Sequence, residues 1–479
     1  MAIQSQVEAT FPAPRSSVPI ARQGVRPGAI LAVLSGAAFV ATLDLFIVNV
    51  AFDDIGRDFA GSSRSDLSWI LNGYTILYAA LLVPLGRLSD RFGRKQGFVL
   101  GLALFTAASA ASALSTSLWM LVAFRGLQAV GAAALTPTSL GLLLAAMPAE
   151  RRVKSVRIWA TTGSLAAAAG PVVGGLLVSA SWRWVFLVNI PVGILLLIAA
   201  IRVVPGSRDT TESKIPDLVG SVVLATGIGA LALALVKGQK WGWASTPTVG
   251  AFAVTFLGIA VFWRRSQRHP SPVVEPALLE VPAFAWSNLT ALLFSAAFAG
   301  NLLASILWMQ EVWGYSALRT GLAVAPGPLM VPVFAAVGQR LARSVPVGRI
   351  TALGCLLFGA GATMVLLGVG AKPHYASQLL PGWMVSGVGV GLALPMILST
   401  ATAHLPPARS ATGSAVVNMS RQLGLVLGTS VLVALLGTSV RYADVHRGFQ
   451  RGWWMVAIVA FLAVPAALRM TPRRAVVAG

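Results

Sequence analysis

The segment GRLSDRFGRK, Gly86–Lys95, separates an apolar run near 67–88 from another near 97–115. Each run is long and poor enough in charge to cross a hydrocarbon layer. The decapeptide between them therefore reads as a short loop held at a membrane surface. Gly86 and Gly93 permit tight backbone turns, and Asp90 is the single acid among Arg87, Arg91, Arg94 and Lys95. Set against arginines and helix termini, Asp90 could close a charge cluster that latches one conformation. The competing reading is a basic loop that sets topology and makes no specific contact.

Outward from this loop the same pattern recurs along the whole chain of 479 residues. Hydrophobic residues make up 56% and charged residues 11%, against roughly 25% charged in a soluble domain. Fourteen runs qualify as spans, near 29–51, 67–88, 97–115, 118–146, 156–180, 184–203, 217–236, 247–264, 284–309, 319–340, 350–369, 376–400, 411–437 and 453–469. The expected class is an all-α membrane protein. The net charge of +21 would suggest nucleic acid in a soluble protein, but here the cations lie in short loops and no nucleic-acid partner is expected. Arg87, Arg91, Arg94 and Lys95, then Arg151, Arg152, Lys154 and Arg157, then Arg264, Arg265 and Arg268 all fall on the side of the N-terminus. That bias places both termini in the cytoplasm and lets the loops meet lipid headgroups. Residues 1–28 lack an apolar core and do not read as a cleaved signal peptide. The excess of arginine over lysine suits a GC-rich bacterial genome and hence a bacterial cytoplasmic membrane. Cys355 is the only cysteine and reads as a small core residue.

The chain also repeats weakly. Gly131, Pro137, Pro148, Arg151 and Gly170 fall in the same order and spacing as Gly389, Pro395, Pro406, Arg409 and Gly428. Glycine and proline inside lipid set close approach and bends, so two related six-span halves are expected, with chance matching in an Ala/Gly-rich chain as the alternative. The expected division is a tail at 1–28, a six-helix bundle at 29–203, two inserted spans with linkers at 204–283, a second bundle at 284–470 and a tail at 471–479. The second-half counterpart of the decapeptide, Gly338–Arg343, has lost its acid.

Charges inside spans are costly, about 2.5–3.5 kcal/mol each on insertion scales, and usually mark a substrate or ion path. Asp44, in ATLDLFIVNVAF, lies about seven residues before the outer end of its span, roughly 10 Å deep. Arg125, in LVAFRGLQAVGAA, lies about seven residues into an antiparallel span, so the two sit at similar depth. An adjacent arginine and desolvation push a carboxylate's protonation in opposite directions, which can poise it for reversible proton binding. A purely structural ion pair is the competing reading. Gln128 follows Arg125 by one turn and is a candidate for lining a substrate cavity. In the fifth span Ala166, Gly170 and Gly174 recur every four residues, a smooth strip for a neighbouring helix, and Pro171 favours a bend.

In the second half Arg421, near Asn418, falls at mid-span and could neutralise an anionic group or serve as a structural donor. Trp308 and Gln310 are further candidates for a greasy cavity, and Glu311 reads as a solvated interfacial carboxylate. Asp217 reads as a helix N-cap. His269, His374, His404 and His446 lie in or near loops and suggest no proton relay. The chain contains no G-x-x-x-x-G-K-[ST] phosphate loop, and no hydrolase triad or metal cluster stands out. No enzyme activity and no cofactor are expected.

Several of these segments together resemble the major facilitator superfamily. Gly86, Leu88, Asp90, Arg91, Gly93, Arg94 and Lys95 fit its G-x-L-x-D-r-x-G-r-k loop. Leu43-Asp44 with Ile47–Ala51, and Arg125-Gly126 with Gln128 and Gly131, are similar to first- and fourth-span motifs of its fourteen-span drug:proton antiporters. Gly163, Gly170, Pro171, Gly174 and Gly175 resemble the superfamily's antiporter helix motif. The resemblance implies two six-helix bundles plus two central helices, a monomer, and proton-coupled efflux of a lipophilic drug or antibiotic by alternating access. Asp44 and Arg125 would couple the proton, and Gly86–Lys95 would form the latch. Leu45 and Phe46 stand where the family usually has small hydroxylated residues, which bears on the substrates accepted. Proton-coupled uptake of a small organic solute on the same fold is the first rival, and a non-transporting membrane sensor is the second.

Overall fold

The computed structural model describes residues 27–59, 61–207, 215–403, 405, 409–437 and 441–471. Among the described residues, fourteen helices are long and apolar enough to cross a membrane. In chain order they are α1 Pro27–Asp58, α2 Arg64–Phe92, α3 Arg94–Ala113, α4 Leu118–Ala146, α5 Glu150–Val178, α6 Trp184–Val203 and α7 Leu218–Trp241. They continue as α8 Thr246–Arg268, α9 Pro282–Val312, α10 Ala317–Leu341, α11 Val347–Gly368, α12 Leu380–Ala403, α13 Thr412–Leu436 and α14 Tyr442–Leu468. Backbone groups inside lipid have no water to bond, so helices that satisfy their own N–H and C=O groups are the stable form for such runs. Because the spans alternate in direction, the start of α1 and the end of α14 share one end of the bundle. That end is called the near end below, and the end bearing the α1–α2 connection is called the far end.

The packing repeats. In the first half α1 packs on α4, α5 and α6, α3 on α4 and α6, and α2 on α4. In the second half α9 packs on α12, α13 and α14, α11 on α12 and α14, and α10 on α12. These are the same pairings displaced by eight helices. The two largest helix contacts between the halves, α2 with α13 and α5 with α10, exchange under the same displacement. The fold is therefore two related six-helix bundles. α7 and α8 pair with each other, and α7 seats against both α2 and α13. α8 turns Phe256 and Leu257 outward, as expected of a peripheral helix facing lipid.

Close helix approach follows the small residues. A Cβ on Gly131 would lie 2.6 Å from Phe105 N, and one on Gly389 would lie 2.7 Å from Phe358 N. The α3–α4 and α11–α12 contacts thus use matching glycines, as the repeat suggested. At the far end one continuous apolar cluster takes Ile47, Phe52 and Leu67 from the first half and Leu303, Met309 and Val324 from the second.

The last span differs from its sequence-based bounds. Its apolar run begins near 453, but the helix begins at Tyr442. The added turns carry Asp444, Arg447 and Arg451, yet they bury Gly448 and Phe449 and pair Asp444 with Arg447 on one face. Packing and an i,i+3 pair sustain a helix that hydropathy cannot see.

Candidate functional site

The first bundle has a polar hub at its centre. Asp44 of α1 and Arg125 of α4 are both completely buried and form an ion pair through Arg125 Nη1 and Asp44 Oδ2. Asp44 Oδ1 accepts hydrogen bonds from Gln128 Nε2 at 2.8 Å and Asn189 Nδ2 at 2.9 Å. Arg125 Nη1 also donates to Gln128 Oε1 at 2.6 Å. Ser109 Oγ of α3 accepts from Gln128 and Asn189 at 3.2 and 3.0 Å and donates to Phe186 O at 2.9 Å. The Arg125 guanidinium lies over the Tyr74 ring of α2, 4.1 Å from its centre. Five helices besides α5 thus converge on one carboxylate.

Local sequence explains how these groups arrive. Arg125 and Gln128 share a face of α4 at i,i+3. Pro191 has no N–H to offer the carbonyl four residues earlier, and the helix is interrupted at Val188 between Trp184–Leu187 and Asn189–Val203. The interruption places Asn189 against Asp44 and leaves Phe186 O for Ser109. Ser109 and Tyr74 are hub members that sequence reasoning did not single out; Asn189 belongs to the Trp182–Pro191 stretch, which is similar to the same drug:proton antiporter family, but sequence assigns it no role. The available signal was weak: polar side chains inside otherwise apolar runs.

The α5 glycine strip faces α1. A Cβ on Gly170 would lie 2.7 Å from Phe46 Cβ, one on Gly174 would lie 2.7 Å from Ile47 O, and the nearest atom to one on Gly163 would be Thr42 Oγ1 at 3.9 Å. Gly175 instead meets the other half, where its Cβ would lie 2.5 Å from Ala317 O of α10. Gly321 of α10 answers it by resting against the Pro171 carbonyl. The two helices could not approach so closely with any larger residue at either position.

Other cross-half ties are grouped at the same end. Arg64 of α2 grips Glu311 of α9, Nε to Oε1 at 3.0 Å and Nη2 to Oε2 at 2.5 Å. Gln310 Nε2 donates to Val50 O at 3.0 Å, and Asn72 Nδ2 donates to Ser430 Oγ at 3.1 Å. Glu311, expected to be solvated, is instead mostly covered by this pairing. Its partner lies 247 residues away, beyond the reach of local sequence.

The Gly86–Lys95 segment is not the loop expected: residues 86–92 are the last turns of α2, Arg94 opens α3, Gly86 is helical, and only Gly93 breaks the chain direction between them. Gly93 adopts φ of +131°, a region glycine enters freely. Asp90 pairs with Arg94 one turn on, Arg94 N donates to Ser207 O at 2.9 Å, and Lys95 Nζ donates to Ile201 O at 2.8 Å. Arg91 lies over Phe92. A Cβ on Gly86 would lie 3.1 Å from Pro137 Cβ of α4. The longer reach is made by Arg87, which donates to Ser271 Oγ and Pro272 O at 2.9 Å and to Glu275 Oε1 at 2.7 Å. Those residues precede α9, so Arg87 ties α2 to the linker entering the second half. Asp217 caps α7 through Gly220 N at 2.8 Å, as read from sequence, and also pairs with Arg265 of α8.

Among the second-half candidates, Trp308 is fully buried against Phe449, Trp453 and His446 of α14. It therefore packs within its own bundle rather than facing the first half. Asn418 and Arg421 stay together, Arg421 Nη1 donating to Asn418 Oδ1 at 3.0 Å.

Two pseudo-symmetric bundles, an ion pair sealed inside one and glycine-lined contacts between them describe a membrane transporter of the two-bundle plan. The family model of the Major Facilitator Superfamily matches residues 34–429. Multidrug resistance protein Stp of Mycobacterium tuberculosis is 32% identical over 404 residues, covering 83% of this chain and 74% of that protein. Methylenomycin A resistance protein of Streptomyces coelicolor is 30% identical, covering 92% and 90%. Tetracenomycin C resistance and export protein of Streptomyces glaucescens is 32% identical, covering 86% and 76%. Among solved structures, a D-xylose–proton symporter shares the fold with a TM-score of 0.67 at 14% identity, over 93% of this chain and 98% of that one. The chain belongs to the Major Facilitator Superfamily and, within it, to the drug-efflux family. It is a multi-pass membrane protein of a family of transporters rather than enzymes, with relatives named for antibiotic resistance and export.

Proposed function

We propose that this protein is a proton-coupled antiporter that exports lipophilic drugs or antibiotics by alternating access. Its setting would be a bacterial cytoplasmic membrane with both termini inside, and it would work as a monomer with the proton as coupling ion and no other cofactor. The observation that carries the reading is the Asp44 hub. A carboxylate that is completely buried, held by Arg125, Gln128 and Asn189, changes its bonding on taking up a proton. Protonation removes the charge that holds Arg125 and turns one acceptor oxygen into a donor. The hub spans α1, α3, α4 and α6 with Tyr74 of α2, so a change there bears on how the first bundle meets the second.

With both termini inside, the far end faces outward. The Arg64–Glu311 pair and the Gly175–Gly321 approach then act as an outer gate that is closed in this conformation. The Arg87 contacts and the Gly86–Lys95 segment sit at the inner end, where they would hold or release the opposite gate. Transport requires that proton and drug bind the two states with different affinity.

Everted vesicles provide the test. Adding a hydrophobic antibiotic or dye should release protons from vesicles carrying wild type and not from vesicles carrying Asp44→Asn. Uphill, proton-dependent export by Asp44→Asn would remove the coupling role from this residue. Drug accumulation in right-side-out vesicles would reverse the direction.

A further inference from the structure

We infer that the interface between the two halves holds a binding site for the anionic group of a lipophilic molecule, with Arg421 as its counter-charge. The exported compound would then be a lipophilic acid, a carboxylate or phenolate, rather than a cation. The inference rests on the transport reading above and names its substrate class.

The charge inventory leads to it. Asp44 is the only described carboxylate more than about two turns inside its span, and it is spoken for: Arg125 balances its charge, and Gln128 and Asn189 fill its other oxygen. The acids nearest the gates are also paired: Glu311 with Arg64, Asp66 with Lys237, Glu275 with Arg87 and Asp217 with Arg265. A lipophilic cation entering the core would find no open carboxylate among the described residues.

Arg421 presents the opposite case. It lies nine residues after Thr412, roughly 13 Å along α13. No described carboxylate is within ion-pair distance of it. Its side-chain partner is the neutral Asn418 Oδ1, and its Nε is buried with no partner. A guanidinium has five N–H donors and cannot shed its charge, so a partly buried one inside a span without a counter-ion is poised for an anion. The fork of a guanidinium also matches a carboxylate in two-point contact.

The surroundings favour an aromatic acid. Tyr78 lies on α2 of the first half, which packs against α13. Its hydroxyl donates to Thr136 Oγ1 of α4 at 2.9 Å, and its ring stacks on Tyr74 at 6.1 Å between centres and 10° between planes. Helices of both halves therefore meet beside the charge-bearing helix, and the first half contributes a pair of stacked aromatic rings.

The test uses three pyrene probes of one skeleton: 1-pyrenebutyrate, its methyl ester, and pyrenebutyl-trimethylammonium. The full chain is placed in phosphatidylcholine nanodiscs, and binding is read as energy transfer from its 14 tryptophans, with empty discs as blank. The butyrate should bind at least tenfold tighter than either other probe. Arg421→Gln should abolish that preference, and Arg421→Lys should keep part of it, because lysine retains the charge but not the fork. Thermal unfolding of each variant checks its fold, and the lysine variant carries the test if the glutamine variant is unstable. The inference is overturned if the cation binds as tightly as the anion, if the preference survives in Arg421→Gln, or if no probe shows protein-dependent transfer. Because binding is read without transport, an anion preference alongside absent proton antiport would overturn the transport reading alone. Antiport without the preference would overturn this inference alone.

Discussion

Arg64 and Glu311 join the two halves by a two-point ion pair across the far end, at 3.0 and 2.5 Å. The pair is mostly but not fully covered, with side-chain exposures of 27% and 18%. Solvent screening keeps such a pair to about 1 kcal/mol, which is a roughly fivefold change in a two-state population. Glu311→Gln should therefore raise the far-end-open population by about two- to fivefold without unfolding the protein. Spin labels on the α1–α2 and α9–α10 connections would read this as a shift in the distance distribution. The native cysteine is single and buried, so it adds little background labelling. An unchanged distribution would assign the closure to the apolar cluster around Ile47 and Met309.

Closure at the same end also depends on two helices touching through glycine. The backbone of Pro171 and Val172 leaves no room for a side chain at Gly321. Gly321→Leu should hold α5 and α10 apart and cut transport by more than tenfold, with the Asp44 hub intact because it lies in the first bundle. A conformer-specific distance measurement should show the far end open. Full activity would mean that α10 shifts along α5 at little cost.

Much of this was legible in sequence, and the gaps have physical causes. Span positions follow from hydropathy because lipid imposes one dominant constraint; the departures are charged helix ends, with α14 and α5 starting before their apolar runs and α1 continuing past 51 to Asp58. Asp44 and Arg125 stand out because charge inside a span is rare, and Gln128 because it falls in the motif that begins at Arg125. Asn189 and Ser109 do not, since neutral polar residues are common in spans and only tertiary packing shows which ones converge on a carboxylate. Trp308 looked like a cavity residue by composition, but its face is decided by α14 and in particular by Phe449 and Trp453. The Glu311 partner could not be found from neighbours in the chain, because ion pairs between halves have no local period.

The inserted helix α7 makes one polar contact with each half near the far end. Lys237 Nζ meets Asp66 Oδ1 of α2 at 2.5 Å, and Gln239 Nε2 meets Ala434 O of α13 at 2.5 Å. A helix bonded to both bundles on the gate side should restrain their separation. Lys237→Met with Gln239→Leu keeps the apolar contacts of α7 while removing both bonds. The expected outcome is faster hydrogen exchange at the far ends of α2 and α13 and little change in the hub. Equal exchange in the variant would show that α7 is held by its apolar contacts alone.

The hub itself allows structural and functional roles to be separated. Removing one member of a fully buried pair strands the other, at about 3–5 kcal/mol. Arg125→Met alone should therefore lower thermal stability markedly. Replacing both partners, Asp44→Leu with Arg125→Met, removes the stranded charge and should recover most of that loss, since apolar replacements of buried pairs are often neutral. If the pair were only structural, the double variant would also recover transport. On the proposed mechanism it stays inactive in drug-driven proton movement, because no group remains to carry the proton. Asn189→Ala, which removes one neutral donor from Asp44 Oδ1, should cost a more modest 1–3 kcal/mol or so in stability and lower drug-driven proton movement without abolishing it. Unchanged proton movement in Asn189→Ala, together with active transport in the double variant, would reduce the hub to a packing device.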